Sequence, residues 1–237
     1  MNRTGIEWCQ YTWNPVVGCN NGCSYCYARR VAKRTGAITG CQDCADFRPH
    51  FHPERLADVT PRQKPRVIFA GSMCDFWSNG VAASWWYQVS DVIEATPQHC
   101  YIVLTKQPQR VDDIWLGIEN LWIGLSATGC EWEDDYRYVF TMENWPPTGR
   151  MVVSWEPAWE IPPLNRGLPD WFIIGAQSGR NRRLPERKAV EEAVRFCAAN
   201  NVPVFCKDSI RKLWPDREWP QEFPPAIGAI MAAQEAA

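Results

Sequence analysis

The sequence contains no apolar run that approaches the roughly 18–20 residues a membrane-spanning helix needs. Its first ten residues, MNRTGIEWCQ, also lack the apolar stretch of a secretory signal peptide. We therefore expect no membrane partner and a cytoplasmic location. Charge of one sign is not in excess, since 25 Lys and Arg stand against 27 Asp and Glu. This balance argues against a protein that binds nucleic acid through a basic tail, but it leaves local basic patches open.

Histidine is scarce, with three residues among 237. Acid–base chemistry must therefore fall mainly to carboxylates, lysine, tyrosine or cysteine. The sequence also has no clear linker, low-complexity tract or heptad array, and its length is enough to bury a substantial core. We predict one domain over residues 1–237, with an insertion at about 36–60 and a C-terminal extension after about 210.

Cysteine and tryptophan are abundant, at 11 and 14 residues. Without an export signal the expected compartment is reducing, so the cysteines are better explained as metal ligands or buried thiols than as disulfides. We expect most of the tryptophans in the core, together with Cys100, Cys197 and Cys206, which lie in apolar patterns.

Short, nearly all-apolar runs recur along the chain and are typical of strands buried on both faces. They lie at residues 66–71, 100–104, 121–125, 151–155, 171–175 and 202–206, and an earlier strand is expected within residues 6–13. Helical patterns lie between them at residues 82–95 and 186–199. The alternation predicts an α/β fold of six or seven βα units with parallel strands, arranged as a partial (β/α)6-type TIM-like barrel.

Polar residues follow these runs, at the strand ends where barrels of this kind place their functional groups. Loops are polar in any case, so the recurrence carries more weight than any one residue. The residues concerned are Asp75, Thr105, Lys106, Ser126, Glu156, Gln177, Lys207 and Asp208.

Three cysteines follow the first predicted strand with the spacing C-x3-C-x2-C, at Cys19, Cys23 and Cys26. Three thiolates on a short loop can hold three irons of a [4Fe–4S] cluster and leave the fourth iron open. Gly18 and Gly22 give the loop the backbone freedom to wrap such a cluster. Three buried thiols, or three of four zinc ligands, are the alternatives.

A second cysteine pair, Cys41 and Cys44, is followed by His50 and His52. These four side chains suit zinc by ligand type, although the spacing is not that of a common zinc finger. A second iron–sulfur cluster and a loop of ordinary thiols are the other interpretations.

The cysteine loop resembles that of the radical S-adenosylmethionine superfamily, whose C-x3-C-x2-C motif follows the first strand of a partial (β/α)6 barrel. Over nearly its whole length the chain also resembles a phage-associated family of unknown function, the "phage protein" family. The segments that carry this resemblance are GIEW at 5–8, TWNP at 12–15, C-x-x-C-Y-A at 23–28, SMCD at 72–75, LTK-x-P-x-R at 104–110, WEP at 155–157 and G-x-x-S-G at 175–179.

The superfamily resemblance implies that S-adenosylmethionine binds the open iron and is cleaved by one electron to a 5′-deoxyadenosyl radical, which abstracts hydrogen from the substrate. It further implies an electron donor such as flavodoxin or ferredoxin. Contacts to S-adenosylmethionine are expected from Tyr25, Ser72 and Asp75, and more loosely from Ser126 and Gln177. The candidate catalytic residues are Cys74, Lys106, Glu156 and Lys207.

The charge is unevenly distributed, and this suggests an anionic substrate. Residues 1–64 carry a net charge of +4 and residues 180–217 carry +5, whereas residues 65–179 carry −8. Basic segments at both ends favour a nucleotide or nucleic acid, although solvated helix faces explain them equally well. The phage association points to modification or rearrangement of a DNA base, in the host cytoplasm. The alternatives are a zinc- or cluster-containing nucleic-acid-binding module without catalysis, and a barrel whose cluster is only structural.

Overall fold

The computed structural model of the chain describes residues 1–128, 141–145, 150–178, 183–214 and 219–235. Two compact units are present, the first formed by Met1–Lys106 with Arg110–Trp122 and the second by Gln107–Gln109 with Ile123–Ala237. The single domain over residues 1–237, with its insertion and extension, stays a prediction.

In the first unit the apolar runs at residues 66–71 and 100–104 form strands, and shorter strands precede them. In chain order the strands are β1 (Asn2–Arg3), β2 (Tyr11–Trp13), β3 (Val16–Val17), β4 (His50–Phe51), β5 (Val67–Ala70) and β6 (Cys100–Thr105). β1 pairs antiparallel with β2, while β2 pairs parallel with β5 and β5 pairs parallel with β6. β3 and β4 form a separate antiparallel pair. The parallel arrangement brings the carboxyl ends of β2, β5 and β6 to one edge.

Four helices belong to the first unit: α1 (Tyr27–Thr39), α2 (Gln42–Asp46), α3 (Ala83–Glu94) and α4 (Asp113–Leu116). α3 lies where the helical pattern at residues 82–95 places it. Short 3-10 turns lie along the same stretch of chain at Pro53–Asp58 and Pro108–Arg110. α1 packs against α2 through a close approach of Gly36 to Ala45, since a Cβ at Gly36 would lie 2.4 Å from the Ala45 nitrogen.

The second unit repeats the strand-and-helix pattern. β7 (Leu121–Ala127) begins at the end of the first unit and continues into the second, and is followed by β8 (Arg150–Trp155), β9 (Trp171–Ile174) and β10 (Val204–Cys206). β8, β9 and β10 pair in parallel. Among the described residues of this unit, the helices are α5 (Arg187–Ala199) and α6 (Pro225–Glu235), with 3-10 turns at Leu164–Arg166 and Asp208–Leu213. α5 packs Val190, Ala193 and Cys197 into a core with Trp155 and Phe172.

The prediction of an α/β fold with mostly parallel strands is confirmed. Cys100, Cys197 and Cys206 are buried as expected, and nine of the described tryptophans are buried as well. The described cysteines form no disulfide. Within the described ranges, no helix combines the length and the apolar character that crossing a membrane requires.

Candidate metal centre

The three cysteines of the C-x3-C-x2-C motif lie on one loop beyond the carboxyl end of β2. The loop leaves β3 at Gly18, whose N–H donates to the Met73 carbonyl oxygen at 2.9 Å and which forms a parallel bridge with Cys74. Met73 and Cys74 follow β5, the parallel neighbour of β2. The cysteine loop therefore borders the segment after β5, at the edge of a parallel sheet where ligands commonly bind.

Gly18 is a position where the loop tolerates no side chain. Its φ of 90° lies in the left-handed region, and a Cβ there would lie 2.3 Å from the Arg48 carbonyl oxygen. Glycine adopts this conformation without steric cost, so the chain can turn into the cysteine loop directly against the Arg48 backbone.

The three thiols of the loop are free and partly exposed. Cys26 precedes α1, and its Sγ accepts a hydrogen bond from the Arg29 N–H at 3.3 Å. Burial is the main cause that raises the pKa of the Cys19 thiol to about 11, and the charges of Asp75, Cys26 and Cys23 act in the same direction. Burial therefore disfavours the thiolate form of Cys19 when no cation is bound.

The three donors are all thiols, a ligand type that allows either a single metal ion or a multi-iron cluster. Thiolates on one tetrahedral zinc ion, with bonds of about 2.3 Å, lie about 3.8 Å apart. Among the described residues, Cys19, Cys23 and Cys26 do not form a group whose donor atoms all lie within 4.8 Å of one another. A [4Fe–4S] cluster binds each thiolate through a different iron and so suits more widely spaced donors. By ligand type the three thiols could hold such a cluster, which stays a prediction.

Asp75, expected to contact S-adenosylmethionine, has its carboxylate fully occupied by donors of the protein. Its Oδ1 accepts from Thr105 Oγ1 at 2.9 Å and from the Trp77 N–H at 3.1 Å. Its Oδ2 accepts from Asn21 Nδ2 and from the Lys106 N–H, both at 2.8 Å. The carboxylate joins the cysteine loop to the ends of β5 and β6, so the contacts favour a positioning role.

Three other predicted residues of the first unit lie at the same edge. Lys106 Nζ is 5.4 Å from the centre of the Tyr25 ring, a cation–π contact. Ser72 Oγ accepts from Asn14 Nδ2 at 3.0 Å, and the Ser72 carbonyl oxygen accepts from Tyr27 Oη at 2.7 Å. The positioning residues Asn14, Asn21 and Tyr27 were not among the predicted site residues. Asn14 lies directly after β2, and a polar residue at a strand end could have identified it as part of the site.

Cys74, a candidate catalytic residue, is held as a neutral thiol. Burial raises its pKa well above the ordinary value, and the charges of Asp75 and Cys19 raise it further. Its position beside the cysteine loop follows from the bridge between Gly18 and Cys74.

The second group consists of Cys41, Cys44 and His52, whose donor atoms all lie within 4.8 Å of one another. Cys44 Sγ is 3.0 Å from His52 Nε2, and His52 Nδ1 is 2.9 Å from Glu54 Oε1. Burial raises the pKa of the Cys44 thiol to about 11 and lowers the pKa of His52. These three side chains could hold a metal ion such as zinc.

His50, predicted with this group, lies beside it but is not a member. Its ring is 4.6 Å from the His52 ring, whereas its Nδ1 is 3.7 Å from Asp43 Oδ2. Glu54 is the residue of this group that sequence analysis missed, although it follows His52 by only two positions.

The two thiol groups meet at one small apolar cluster of the first unit, formed by Val17, Ala28, Ala32, Cys44 and Phe47. Cys19 and Cys26 of the loop pack against this cluster, as does Cys41. Both groups are therefore supported by the packing of α1 on α2.

The remaining predicted residues lie in the second unit. Lys207 Nζ is 2.7 Å and 2.8 Å from the two carboxylate oxygens of Glu156, so the two form a tight ion pair after β8 and β10. A Cβ at Gly175 would lie 2.9 Å from Lys207 Cδ, so glycine makes room for the pair. Ser126 lies half-buried in β7, and Gln177 lies half-buried after β9.

Comparison with known proteins identifies a family but no individual relative. No curated protein and no solved structure matches the chain. The family model described as "Protein of unknown function (DUF5131)" matches residues 3–214, which is most of the chain. The chain therefore belongs to this family, DUF5131.

Proposed function

We propose that the protein is a radical S-adenosylmethionine enzyme in which Cys19, Cys23 and Cys26 hold a [4Fe–4S] cluster. The observation that carries the proposal is the meeting of three free thiols, on one loop, with the carboxyl ends of parallel strands. The spacing of the cysteines and their place after the first parallel strand agree with the superfamily pattern. A partial (β/α)6 barrel is part of this proposal.

When bound, the cluster supplies the electron that cleaves S-adenosylmethionine and so starts hydrogen abstraction from the substrate. The residues of the chain would bind S-adenosylmethionine and orient it. Asp75 fixes the loop against β5 and β6, and Ser72, tied to Asn14, presents polar groups beside it. Tyr25 offers an aromatic face, next to the positive charge of Lys106, on which the adenine ring can stack.

An anionic substrate, nucleotide or DNA, is favoured by the basic residues that follow the cysteine loop. Arg29, Arg30, Lys33 and Arg34 are exposed on the first half of α1, which begins directly after Cys26. Their charge would attract phosphates toward the loop. We propose modification or rearrangement of a DNA base, by an isomerase, mutase or tailoring reaction, with electrons from flavodoxin or ferredoxin, in the cytoplasm.

The test is anaerobic purification and reconstitution with iron and sulfide, followed by absorption spectroscopy. A brown protein with the broad absorption of an iron–sulfur cluster, lost in the triple variant Cys19→Ala, Cys23→Ala and Cys26→Ala, is expected. The variant Cys41→Ala with Cys44→Ala is the matched control and should keep the colour. A colourless wild-type protein that holds only zinc would reject the proposal.

Catalysis is tested separately by adding dithionite and S-adenosylmethionine and measuring 5′-deoxyadenosine by mass spectrometry. The proposal expects this product from the wild-type chain and none from the triple variant. If a cluster forms but no 5′-deoxyadenosine is produced, the cluster is only structural and the proposal of catalysis is rejected.

The second candidate function is a metal-containing nucleic-acid-binding module without catalysis. The compact group of Cys41, Cys44 and His52 favours it, because such sites often stabilise small binding modules. Binding of oligonucleotides by a zinc-loaded, iron-free chain, without cleavage of S-adenosylmethionine, would support this alternative.

A further inference from the structure

Three side chains that could form a second metal site lie directly before α2, on α2 and just after β4. The donor atoms of Cys41, Cys44 and His52 lie within 4.8 Å of one another, and Cys44 Sγ lies 3.0 Å from His52 Nε2. Ligand atoms on one tetrahedral zinc ion lie about 3.5–3.8 Å apart, given bonds of about 2.0–2.3 Å. The 3.0 Å distance and the common limit of 4.8 Å are both compatible with this value, so one ion suits the group.

The orientation of the His52 ring is fixed by Glu54. Glu54 Oε1 lies 2.9 Å from His52 Nδ1, so a neutral ring carries its proton on Nδ1 and donates it to the carboxylate. Nε2 is then unprotonated and directs its lone pair toward Cys44. A carboxylate behind the imidazole is the usual second partner of a zinc-binding histidine.

The elements that carry these ligands are too short to be rigid alone. α2 has five residues and β4 has two, and an isolated helix of this length is not stable in water. Cys44 is 5% exposed and His52 is 9% exposed, so these two ligands are largely shielded from water, while Cys41 is partly exposed. An ion would join α2 to the end of β4, as structural metals do in small folds.

The group lacks a fourth protein ligand among the described residues. His50 is nearby, but its Nδ1 lies 3.7 Å from Asp43 Oδ2. Cys44 also lines a cavity of about 600 Å³, together with Arg55. Three protein ligands with a fourth position reached by solvent are typical of zinc sites that bind or activate a small molecule, whereas structural sites are closed by four.

We propose that Cys41, Cys44 and His52 bind one zinc ion, that Glu54 holds His52 in the binding tautomer, and that the fourth position takes water or a small anion from the cavity. This site is separate from the cysteine loop and does not depend on the proposed cluster.

Zinc binding is tested by titrating Zn²⁺ into the full metal-free chain, in competition with a chromophoric chelator. Wild type and the triple variant Cys19→Ala, Cys23→Ala and Cys26→Ala should both bind one zinc, which separates this site from the cluster. Cys41→Ala with Cys44→Ala should abolish that binding. No tight zinc binding, or binding that survives the double variant, would overturn the proposal.

The role of Glu54 is tested by a variant that spares the ligands. Glu54 is 66% exposed, so Glu54→Gln should fold, and far-ultraviolet circular dichroism checks this. Its zinc affinity should fall 10–100-fold, as expected when the partner behind a ligand is lost. The control His50→Gln should bind zinc like the wild type. Unchanged affinity in Glu54→Gln, or an equal loss in His50→Gln, would contradict the assignment.

The fourth position is tested with Co²⁺ in place of zinc, because Co²⁺ reports its ligands in the visible spectrum. Thiolate-to-cobalt bands are expected in the wild type, and thiocyanate should shift the visible bands by entering the fourth position. A spectrum that thiocyanate does not change would show a site closed by four protein ligands and would overturn this part of the proposal.

Discussion

The carboxylate of Asp75 accepts hydrogen bonds from four donors of three neighbouring segments, although only 5% of the residue is exposed. Sequence analysis placed Asp75 at a strand end and expected it to meet a ligand. The strand end is observed, yet three of the four donors come from residues far along the chain, in Asn21, Thr105 and Lys106. At the residue scale, the position of a residue in the sequence predicts where its side chain lies better than it predicts the hydrogen-bond partners of that side chain.

Asp75→Asn should destabilise the first unit, because an amide places an NH₂ group against donors. At least one buried donor then lacks an acceptor, which costs about 1–3 kcal/mol for each such group. We expect a decrease of about 2 kcal/mol in the free energy of unfolding, measured with urea. Asp91→Asn, on the exposed face of α3, is the matched control and should change stability by less than about 0.5 kcal/mol. Equal stability of the two variants would contradict the positioning role of Asp75.

His99 should make the protein less stable in acid. Burial is the main cause that lowers its pKa from 6.5 to about 4, with a contribution from the Arg66 charge. Between these two values the unfolded chain binds the proton and the folded chain does not, so the free energy of unfolding falls as the pH is lowered from 6.5 toward 4. The contribution lost between pH 7 and 4.5 is roughly 2 kcal/mol.

The measurement compares the free energy of unfolding in urea of the wild type and of His99→Gln, at about pH 7 and about pH 4.5. The drop in stability on acidification should be smaller in His99→Gln, whatever its stability at pH 7, since the other titrating groups are common to both proteins. An identical drop in the two proteins would contradict the assignment.

The ion pair between Glu156 and Lys207 should be strongly coupled. Their side chains are 20% and 14% exposed, so removing one partner leaves a poorly hydrated charge. A double-mutant cycle with Glu156→Gln and Lys207→Met should give a coupling energy of about 1–3 kcal/mol in the free energy of unfolding. The exposed pair Arg187–Glu191 on α5 is the control and should give about 0.3–0.5 kcal/mol. Similar values for the two pairs would show that the Glu156–Lys207 contact is not special.

At the element scale, α1 shows why a helix can escape sequence analysis. Its buried face consists of Ala28, Ala32 and Gly36, at a spacing of four residues. This spacing is helical, but the residues are small, so they do not register as an apolar stripe. α3 and α5, which bury larger residues such as Trp86 and Val190, were predicted correctly. Small residues serve here because α2 lies close against α1.

Gly36→Ala tests this close packing, because two effects act in opposite directions. Alanine favours a helix over glycine by about 1 kcal/mol, so propensity alone predicts stabilisation. The new Cβ would lie 2.4 Å from the Ala45 nitrogen, however, and must push α2 away. We expect a net loss of about 1–3 kcal/mol in the free energy of unfolding and weaker zinc binding, since Cys41 and Cys44 move with α2.

The control for Gly36→Ala is Gly5→Ala, because nothing lies within 4 Å of a Cβ at Gly5. This variant should leave both stability and zinc affinity close to the wild type. If Gly36→Ala is more stable than the wild type, α2 can move away from the new Cβ without loss of stability, which would contradict the prediction.

At the scale of the whole molecule, the alternation of buried strands and helices was predictable because each parallel strand carries its own apolar run. The meeting of Asn21, Asp75 and Thr105 was not, because it depends on which strands are neighbours. The cysteine loop was predictable in part. Its spacing predicts a common metal centre, whereas only the fold places it beside the segment after β5 and beside Cys41. Part of the basic segment 180–217, at residues 180–182 and 215–217, lies outside the described residues.

The charge distribution of the chain predicts nucleic-acid binding that weakens with salt. Arg30, Lys33 and Arg34 are exposed on α1 directly after the cysteine loop, within a segment of net charge +4. Each phosphate that a basic residue neutralises releases counterions, so the logarithm of the binding constant should fall with log salt by about 0.9 per contact. Replacing these three residues by Gln should therefore make the slope for duplex DNA shallower by up to about 3, measured by fluorescence anisotropy.

Arg166→Gln is the matched control, because Arg166 is exposed in the acidic segment and pairs with Glu143 at 3.1 Å. This variant should leave the slope unchanged. Binding that does not respond to salt, or the same slope in all three proteins, would mean that the charges of α1 are only a solvated helix face.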